Sequence, residues 1–330
     1  MKKINTLSLF CGCGGSDLGL SGDFKFLDKN YEVLPYNIVL GVDNDKKAAD
    51  TCRLNFSHKV IVSDIKKVDE NDLPKNIDLV IGGFPCQSFS TVNPNKDPFD
   101  DRGQLYKEMA RMLKLLQPKA FIAENVKGML TLHGGKIFKR VCSEFSRAGY
   151  NINHNVINAA DYGVPQKRQR VFIVGIKKEL GKKFKFPDPT HAEIESKSFK
   201  KWVGIKKIIQ GIDISDKKYY FSEKAVNGMK NAKNNMKRGL WQDIEKPSLT
   251  ITSHLAKVSI NSRDPILLVN KEKEIYRRFT PLEAARIQSF PDSFKFAGSE
   301  SDSYRQIGQA IAPVVMWHIG KALKDQIFKN

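Results

Sequence analysis

The feature that most limits how this chain can fold is a repeated exchange between short apolar runs and helix-spaced segments before residue 181. Residues 4–10, 37–42, 59–62, 77–81 and 120–123 read as short buried strands. Between them, residues 45–55, 105–116 and 134–148 carry helical spacing, the last with Ile137, Val141 and Phe145 on one face. Residues 151–158 and 170–176 read as two further strands joined by a loop. Strand–helix alternation of this kind predicts an α/β fold, a mostly parallel, doubly wound sheet with helices on both faces. Ligands of such sheets bind at the carboxyl ends of the strands.

Beyond Gly181 the pattern breaks. Residues 184–276 hold Pro187, Pro189, Pro247 and Pro265, scattered lysines and no clear period. Order returns at Arg277. Residues 281–289 suit a helix with Thr280 as cap and Pro281 at its first position, and residues 314–327 suit a closing helix. The expected organisation is therefore one discontinuous domain, 1–180 plus 277–330, with a smaller irregular domain at 181–276.

Composition narrows the class. The 55 basic residues against 36 acidic ones give a net charge of +19, the sign expected of a polyanion binder, although a lysine-rich solvated surface has the same signature. No uninterrupted apolar run is long enough to span a membrane, and the apolar part of the N-terminus is too short for a signal peptide, so a cytoplasmic protein is expected. The five cysteines are odd in number and irregularly spaced, which argues against a disulfide framework. Cys11 and Cys13 have no Cys-x-x-Cys or His cluster to complete a zinc site, so no metal is expected.

The strand ends carry the chemistry. The fourth strand leads into Gly82-Gly-Phe-Pro-Cys-Gln-Ser88, where glycines allow a sharp turn and Pro85 holds Phe84 extended. Cys86 is thereby presented on a stiff turn, as a nucleophilic thiol or as an inert strand-end cysteine. The first strand ends in Phe10-Cys-Gly12-Cys-Gly14-Gly15, the second in Asp43-Asn44-Asp45 and the third in Asp64-Ile65. Glycines admit a ligand close to the backbone, and an acid can take ribose hydroxyls or, as Asp45 in particular can, cap a helix. Glu124 directly follows an apolar run, where burial raises a carboxyl pKa and makes a protonated, donating form accessible; the alternative is a structural Glu held by backbone amides. Arg168 and Arg170 alternate with Lys167 and Gln169 and share one face if extended, aimed at one anionic or carbonyl group or merely solvated at a sheet edge.

In this order the motifs resemble those of the DNA (cytosine-5)-methyltransferases of bacterial restriction–modification type, over nearly the whole chain except the irregular segment. Phe10-x-Gly12-x-Gly14-Gly15, Asp43 and Asp64 resemble the first three cofactor motifs. Pro85-Cys86-Gln87 resembles the catalytic motif, and Asp100-x-Arg102-Gly103-x-Leu105 the next. Glu124-Asn125-Val126 and Gln166-x-Arg168-x-Arg170 match two more. The stretch from Arg278 to Pro291 is similar to the penultimate motif, and Gln306-Ile-Gly308-Gln309 to the last. The chain departs from the pattern with Gln309 where Asn is usual, and with Asn44 where an aromatic is common.

The resemblance implies a Rossmann-like fold that binds S-adenosyl-L-methionine and methylates C5 of a cytosine flipped out of double-stranded DNA. It implies Cys86 as the nucleophile at C6, Glu124 at N3, and Arg168 with Arg170 managing ring charge. Phe10, Gly12, Gly14, Gly15, Asp43, Asp64, Ile65, Pro85, Leu105 and Gln309 would hold the cofactor. Gln87, Ser88 and Lys96, in a loop expected to close over the base, would contact DNA. Thr250 and Ile251, the Thr-plus-aliphatic pair of a target-recognition segment at 181–276, would do the same. A monomer, with a restriction endonuclease acting separately, fits the family. Two readings stay beside this one: a tRNA cytosine-5 methyltransferase, whose usual Cys-Phe-Thr signature is missing here, and an inactive DNA-binding relative.

Overall fold

The computed structural model describes residues 2–85, 104–211, 215–231, 241–257 and 265–329. Its central sheet contains β1 Ile4–Leu9, β2 Tyr36–Asp43, β3 Lys59–Val62, β4 Leu79–Gly82, β5 Ala120–Val126, β6 Tyr150–Asn158 and β7 Gln169–Lys177. Their spatial order is β3-β2-β1-β4-β5-β7-β6. Strands β1 to β5 run parallel, and β7 lies antiparallel between β5 and β6. The order reverses between β1 and β4, the place where open α/β sheets form a crevice.

The helices around the sheet are α1 Gly15–Ser21, α2 Lys46–Asn55, α3 Leu105–Leu116, α4 Lys136–Arg147, α5 Pro281–Ile287, α6 Glu300–Gln309 and α7 Pro313–Leu323. Side chains of a strand point alternately to its two faces. Leu7 and Leu9 of β1 thus join one core with Met109, Leu113 and Phe145, while Leu79 and Ile81 of β4 join another with Leu20, Val314 and Trp317. The expected α4 stripe of Ile137, Val141 and Phe145 is buried. At about 1.5–3 kcal/mol for each fully buried side chain, it contributes on the order of 5–9 kcal/mol as an upper bound.

The caps follow the residue chemistry. Asp45 caps α2, accepting from the amides of Lys47 and Ala48, and Thr280 forms a capping box with Glu283 ahead of Pro281. Elsewhere the boundaries shift. Helix α4 starts at Lys136 because His133, Gly134 and Gly135 all take positive φ. Strand β4 starts at Leu79, where its pairing with Thr6 of β1 begins. Strand β5 runs on to Val126, paired with Arg170, so Glu124 lies inside a strand rather than after one.

Residues 24–31, unexplained by the sequence, form a small hairpin, Phe24–Phe26 with Lys29–Tyr31. Phe24 stacks on Tyr31 at 4.8 Å, and Tyr31 meets the Trp317 ring edge-on at 5.1 Å, so the hairpin clips onto α7. Helix α6 was not expected; its signal is the Ser299-x-x-Asp302 capping box.

Between β7 and α5 the described residues form short pieces. His191–Ala192 pairs with Lys200–Lys201, Ser248–Leu249 with Gln166–Lys167, and Leu267–Asn270 with Ile275–Arg277. Ile205, Ile208, Ile251, Leu255 and Leu267 share one buried cluster with Phe279, Ile287, Phe290 and Ile307. Among the described residues no helix is long and apolar enough to cross a membrane.

Candidate active site

The carboxyl ends of β1 to β5 open into a cavity of about 670 Å³. Nine of the residues expected to hold a cofactor line it: Phe10, Gly12, Gly15, Asp43, Asp64, Ile65, Pro85, Leu105 and Gln309. So do Glu124, Arg168 and Arg170. Gly14 is not among the lining residues. Cys86, Gln87, Ser88 and Lys96 lie outside the described residues.

At the first strand end the backbone is forced into an uncommon conformation. Phe10 has φ +51° and Gly12 φ +56°. A bulky residue in the left-handed region stores strain, and such residues gather at ligand sites. Around Gly12 a side chain would meet nothing within 4 Å, so this backbone faces open space. Gly14 has a different task. It enters α1 at φ +87°, and a Cβ there would fall 2.5 Å from the Phe56 ring. Its smallness serves packing.

Asp43 ties two strand ends together. Its Oδ2 accepts from the Gly12 amide at 2.8 Å and its Oδ1 from the Asp45 amide at 2.8 Å. Burial raises its pKa, and these amide bonds oppose the rise. Asp64 is exposed at the cavity edge and caps a short turn through the Lys66 amide at 3.0 Å. Across the cavity Arg305 of α6 pairs with Asp45 and with Asp302. Thr51 of α2 donates to Gln306 of α6 at 2.6 Å.

The opposite end of the cavity gathers a carboxylate and two guanidiniums. Glu124 Oε1 lies 3.1 Å from Arg170 Nε. Burial raises the Glu124 pKa, while Arg170 and then Arg168 pull it back. Its Oε2 packs so near Gly83 that a Cβ there would be 3.3 Å away. Arg168 is buried and donates through Nη1 to the Ile251 carbonyl at 3.1 Å and through Nη2 to the Gly308 carbonyl at 2.9 Å. Its Nε is buried without a partner. Burial, then the like charge of Arg170, pushes its pKa down to about 9, with Glu124 opposing. Strand pairing breaks at Arg168, between Gln166–Lys167 and β7, so Arg168 lies outside the strand that carries Arg170. They still face one cavity.

The Thr250-Ile251 pair is built inward. Ile251 is fully buried, and its carbonyl holds Arg168. The Thr250 hydroxyl donates to the Lys167 carbonyl at 2.7 Å. The Ile251 side chain, expected at DNA, belongs to a core in this structure, and the pair braces the arginine segment.

Sequence reasoning passed over several supports. Asn125 donates from Nδ2 to the Phe84 carbonyl at 3.0 Å, pinning the turn before Pro85. Gln166 donates to Gln288 at 2.5 Å and accepts from the Ile251 amide at 3.1 Å, while Gln288 reaches the Ala310 carbonyl. These are buried polar residues inside recognised motifs, and burial is the signal a sequence does not print.

A family model described as C-5 cytosine-specific DNA methylase matches residues 4–325. The type II methyltransferase M.FnuDI of Fusobacterium nucleatum is 33% identical across 98% of this chain and 95% of its own length. M.NgoPII of Neisseria gonorrhoeae is 32% identical across 99% and 97%. Among solved structures, the Entamoeba histolytica methyltransferase EhMeth superposes with a TM-score of 0.73 at 18% identity, covering all of both chains. The S. pombe Dnmt2 methyltransferase does so with 0.71 at 21%, covering 98% and 99%. At these identities the two structures speak for the fold.

Proposed function

Because this chain belongs to the C-5 cytosine-specific DNA methylase family, we propose that it transfers a methyl group from S-adenosyl-L-methionine to C5 of a cytosine flipped out of duplex DNA, through a covalent bond between Cys86 and C6. The observation that carries the reading is the convergence of Glu124, Arg168 and Arg170 on the cavity that Asp43, Gly12 and Phe10 line from the other side, with Pro85 at its wall one residue before Cys86.

The residues fit the cofactor. A volume of about 670 Å³ is within the usual range for small-molecule sites. Asp43 has lone pairs left beyond its two amide bonds to take ribose hydroxyls. Phe10, Gly12, Gly15, Asp64, Ile65, Pro85, Leu105 and Gln309 line the same cavity and would hold the rest of the cofactor. When bound, S-adenosyl-L-methionine supplies an electrophilic methyl group.

The protein makes the ring nucleophilic. C5 of cytosine is a weak nucleophile until electrons enter the ring. The Cys86 thiolate adds to C6, and the displaced electron pair moves toward N3 and the carbonyl. Glu124, whose buried carboxyl is biased toward its protonated form, donates to N3 and relieves that charge. Arg168 is held by two backbone carbonyls with its Nε free to donate to the base carbonyl. Arg170 orients Glu124. After methylation the C5 proton leaves to solvent or a nearby base, the C5=C6 bond re-forms and Cys86 departs as thiolate. Removing the base from the stack costs a few kcal/mol. The basic surface and the segment 181–276, as target-recognition domain beside the catalytic parts 1–180 and 277–330, supply the DNA contacts that offset it. Gln87, Ser88, Lys96 and Thr250 are proposed among those contacts. A separate restriction endonuclease with the same target and action as a monomer belong to this reading.

A 5-fluorocytosine duplex offered with S-adenosyl-L-methionine tests it. The fluorine cannot leave as the proton does, so the chain should be trapped on DNA at one target, and Cys86→Ser should give no adduct. Absence of an adduct with the unaltered chain on a randomised duplex library would refute the covalent reading.

A further inference from the structure

Beneath the cofactor cavity lies a second constellation that methyl transfer leaves unused. Asp17 of α1, Cys52 of α2 and His58, in the turn before β3, bring one donor atom each within 4.8 Å of the others. Asp17 Oδ2 is 3.4 Å from His58 Nε2 and 3.9 Å from Cys52 Sγ, and Cys52 Sγ is 4.0 Å from His58 Nε2. A tetrahedral zinc with bonds of about 2.0–2.3 Å to oxygen, nitrogen and sulfur separates its ligand atoms by about 3.3–3.6 Å. The cluster is within about half an ångström of that spacing. All three side chains are buried or nearly so: 0% exposed for Asp17, 0% for Cys52 and 6% for the His58 side chain.

The surroundings resemble those of a ligand set. Ser8 donates to Asp17 Oδ1 at 2.6 Å, which turns Oδ2 toward Cys52 and His58, the kind of outer-shell bond that orients a metal-binding carboxylate. Cys11, just past the end of β1, is buried nearby. Gly41 keeps the sheet bare at this point; a Cβ there would lie 3.2 Å from Cys11 Sγ and 3.5 Å from His58 Nε2.

We infer that Asp17, Cys52 and His58 bind a thiophilic divalent cation of the zinc class as a three-ligand site. The cation displaces the thiol proton of Cys52 and, where His58 is charged, the proton on its Nε2; no redox change is involved. Such an ion would cross-link α1, α2 and the turn leading into β3. The simpler account is a buried Asp17–His58 ion pair that needs no metal.

The full chain, reduced and stripped with a chelator, decides between them when titrated with cobalt(II) alone and then with zinc. The site predicts one cobalt per chain, a thiolate-to-cobalt charge-transfer band, displacement by one equivalent of zinc, and a melting midpoint that rises with free zinc concentration. Ser8→Ala should weaken uptake about 10–100-fold. Cys52→Ser and His58→Gln should each lose the band, whereas Cys142→Ser and Cys86→Ser should keep it. No stoichiometric uptake by the unaltered chain overturns the inference, with no variant needed to judge it. So does a band that survives Cys52→Ser or disappears in Cys142→Ser.

Discussion

Replacing Arg168 by lysine keeps a positive charge and removes the fork. The native guanidinium ties two backbone carbonyls 57 positions apart, Ile251 at 3.1 Å and Gly308 at 2.9 Å, both in buried surroundings. A lysine ammonium is a point donor on a flexible stem and cannot reproduce the planar fork. One carbonyl is left without a partner, and an unsatisfied buried acceptor costs about 1–3 kcal/mol. The denaturation midpoint should fall by that equivalent with unchanged slope. A second, separable loss concerns chemistry. The unpartnered Nε is the donor available to the base carbonyl, and losing one preorganised donor to developing charge lowers kcat by about 10²–10³-fold. Urea titration reads the first effect; single-turnover methyl transfer at saturating DNA and cofactor, below the unfolding transition, reads the second. A stability loss with an unchanged single-turnover rate would make Arg168 a brace only. Unchanged stability would refute the hydrogen-bond accounting itself.

Other expectations use the same reasoning. Burial holds the Glu124 carboxyl above its ordinary pKa, so the chemical step, needing the protonated form, should slow as pH rises through that raised value; Glu124→Gln, a donor that does not titrate, should flatten this limb of the single-turnover pH profile. Asn125→Ala strands the Phe84 carbonyl and should cost about 1–3 kcal/mol in denaturant unfolding, with a slower rate of 5-fluorocytosine trapping as the turn before Cys86 loosens. Asp43→Asn exchanges one of two amide-accepting oxygens for a donor facing an N–H, and cofactor affinity measured by calorimetry should fall about tenfold or more, equivalent to about 1.4 kcal/mol.

Much of this molecule is written in local chemistry. The period of the apolar residues marks the central strands and the stripe on α4. Asp45 and Thr280 announce their helices because a short polar side chain before a helix accepts its first amides. The order of strand-end motifs is legible for the same reason, as each needs only its neighbours in the chain. Pairing and distance are another matter. Glu124 belongs to a strand because Phe172 lies across from it. Ile251 is buried and braces Arg168, although Thr-Ile on its own reads equally well as a surface contact. Asp17, Cys52 and His58 sit on separate elements, and no spacing in the chain links them. The sequence by itself determined the central strands, most of the flanking helices and which strand ends bear acids, glycines and a cysteine, since those follow from nearest-neighbour sterics and capping. Only the tertiary structure decided which buried donor meets which acceptor, because that choice depends on how the sheet and the C-terminal helices close over one another.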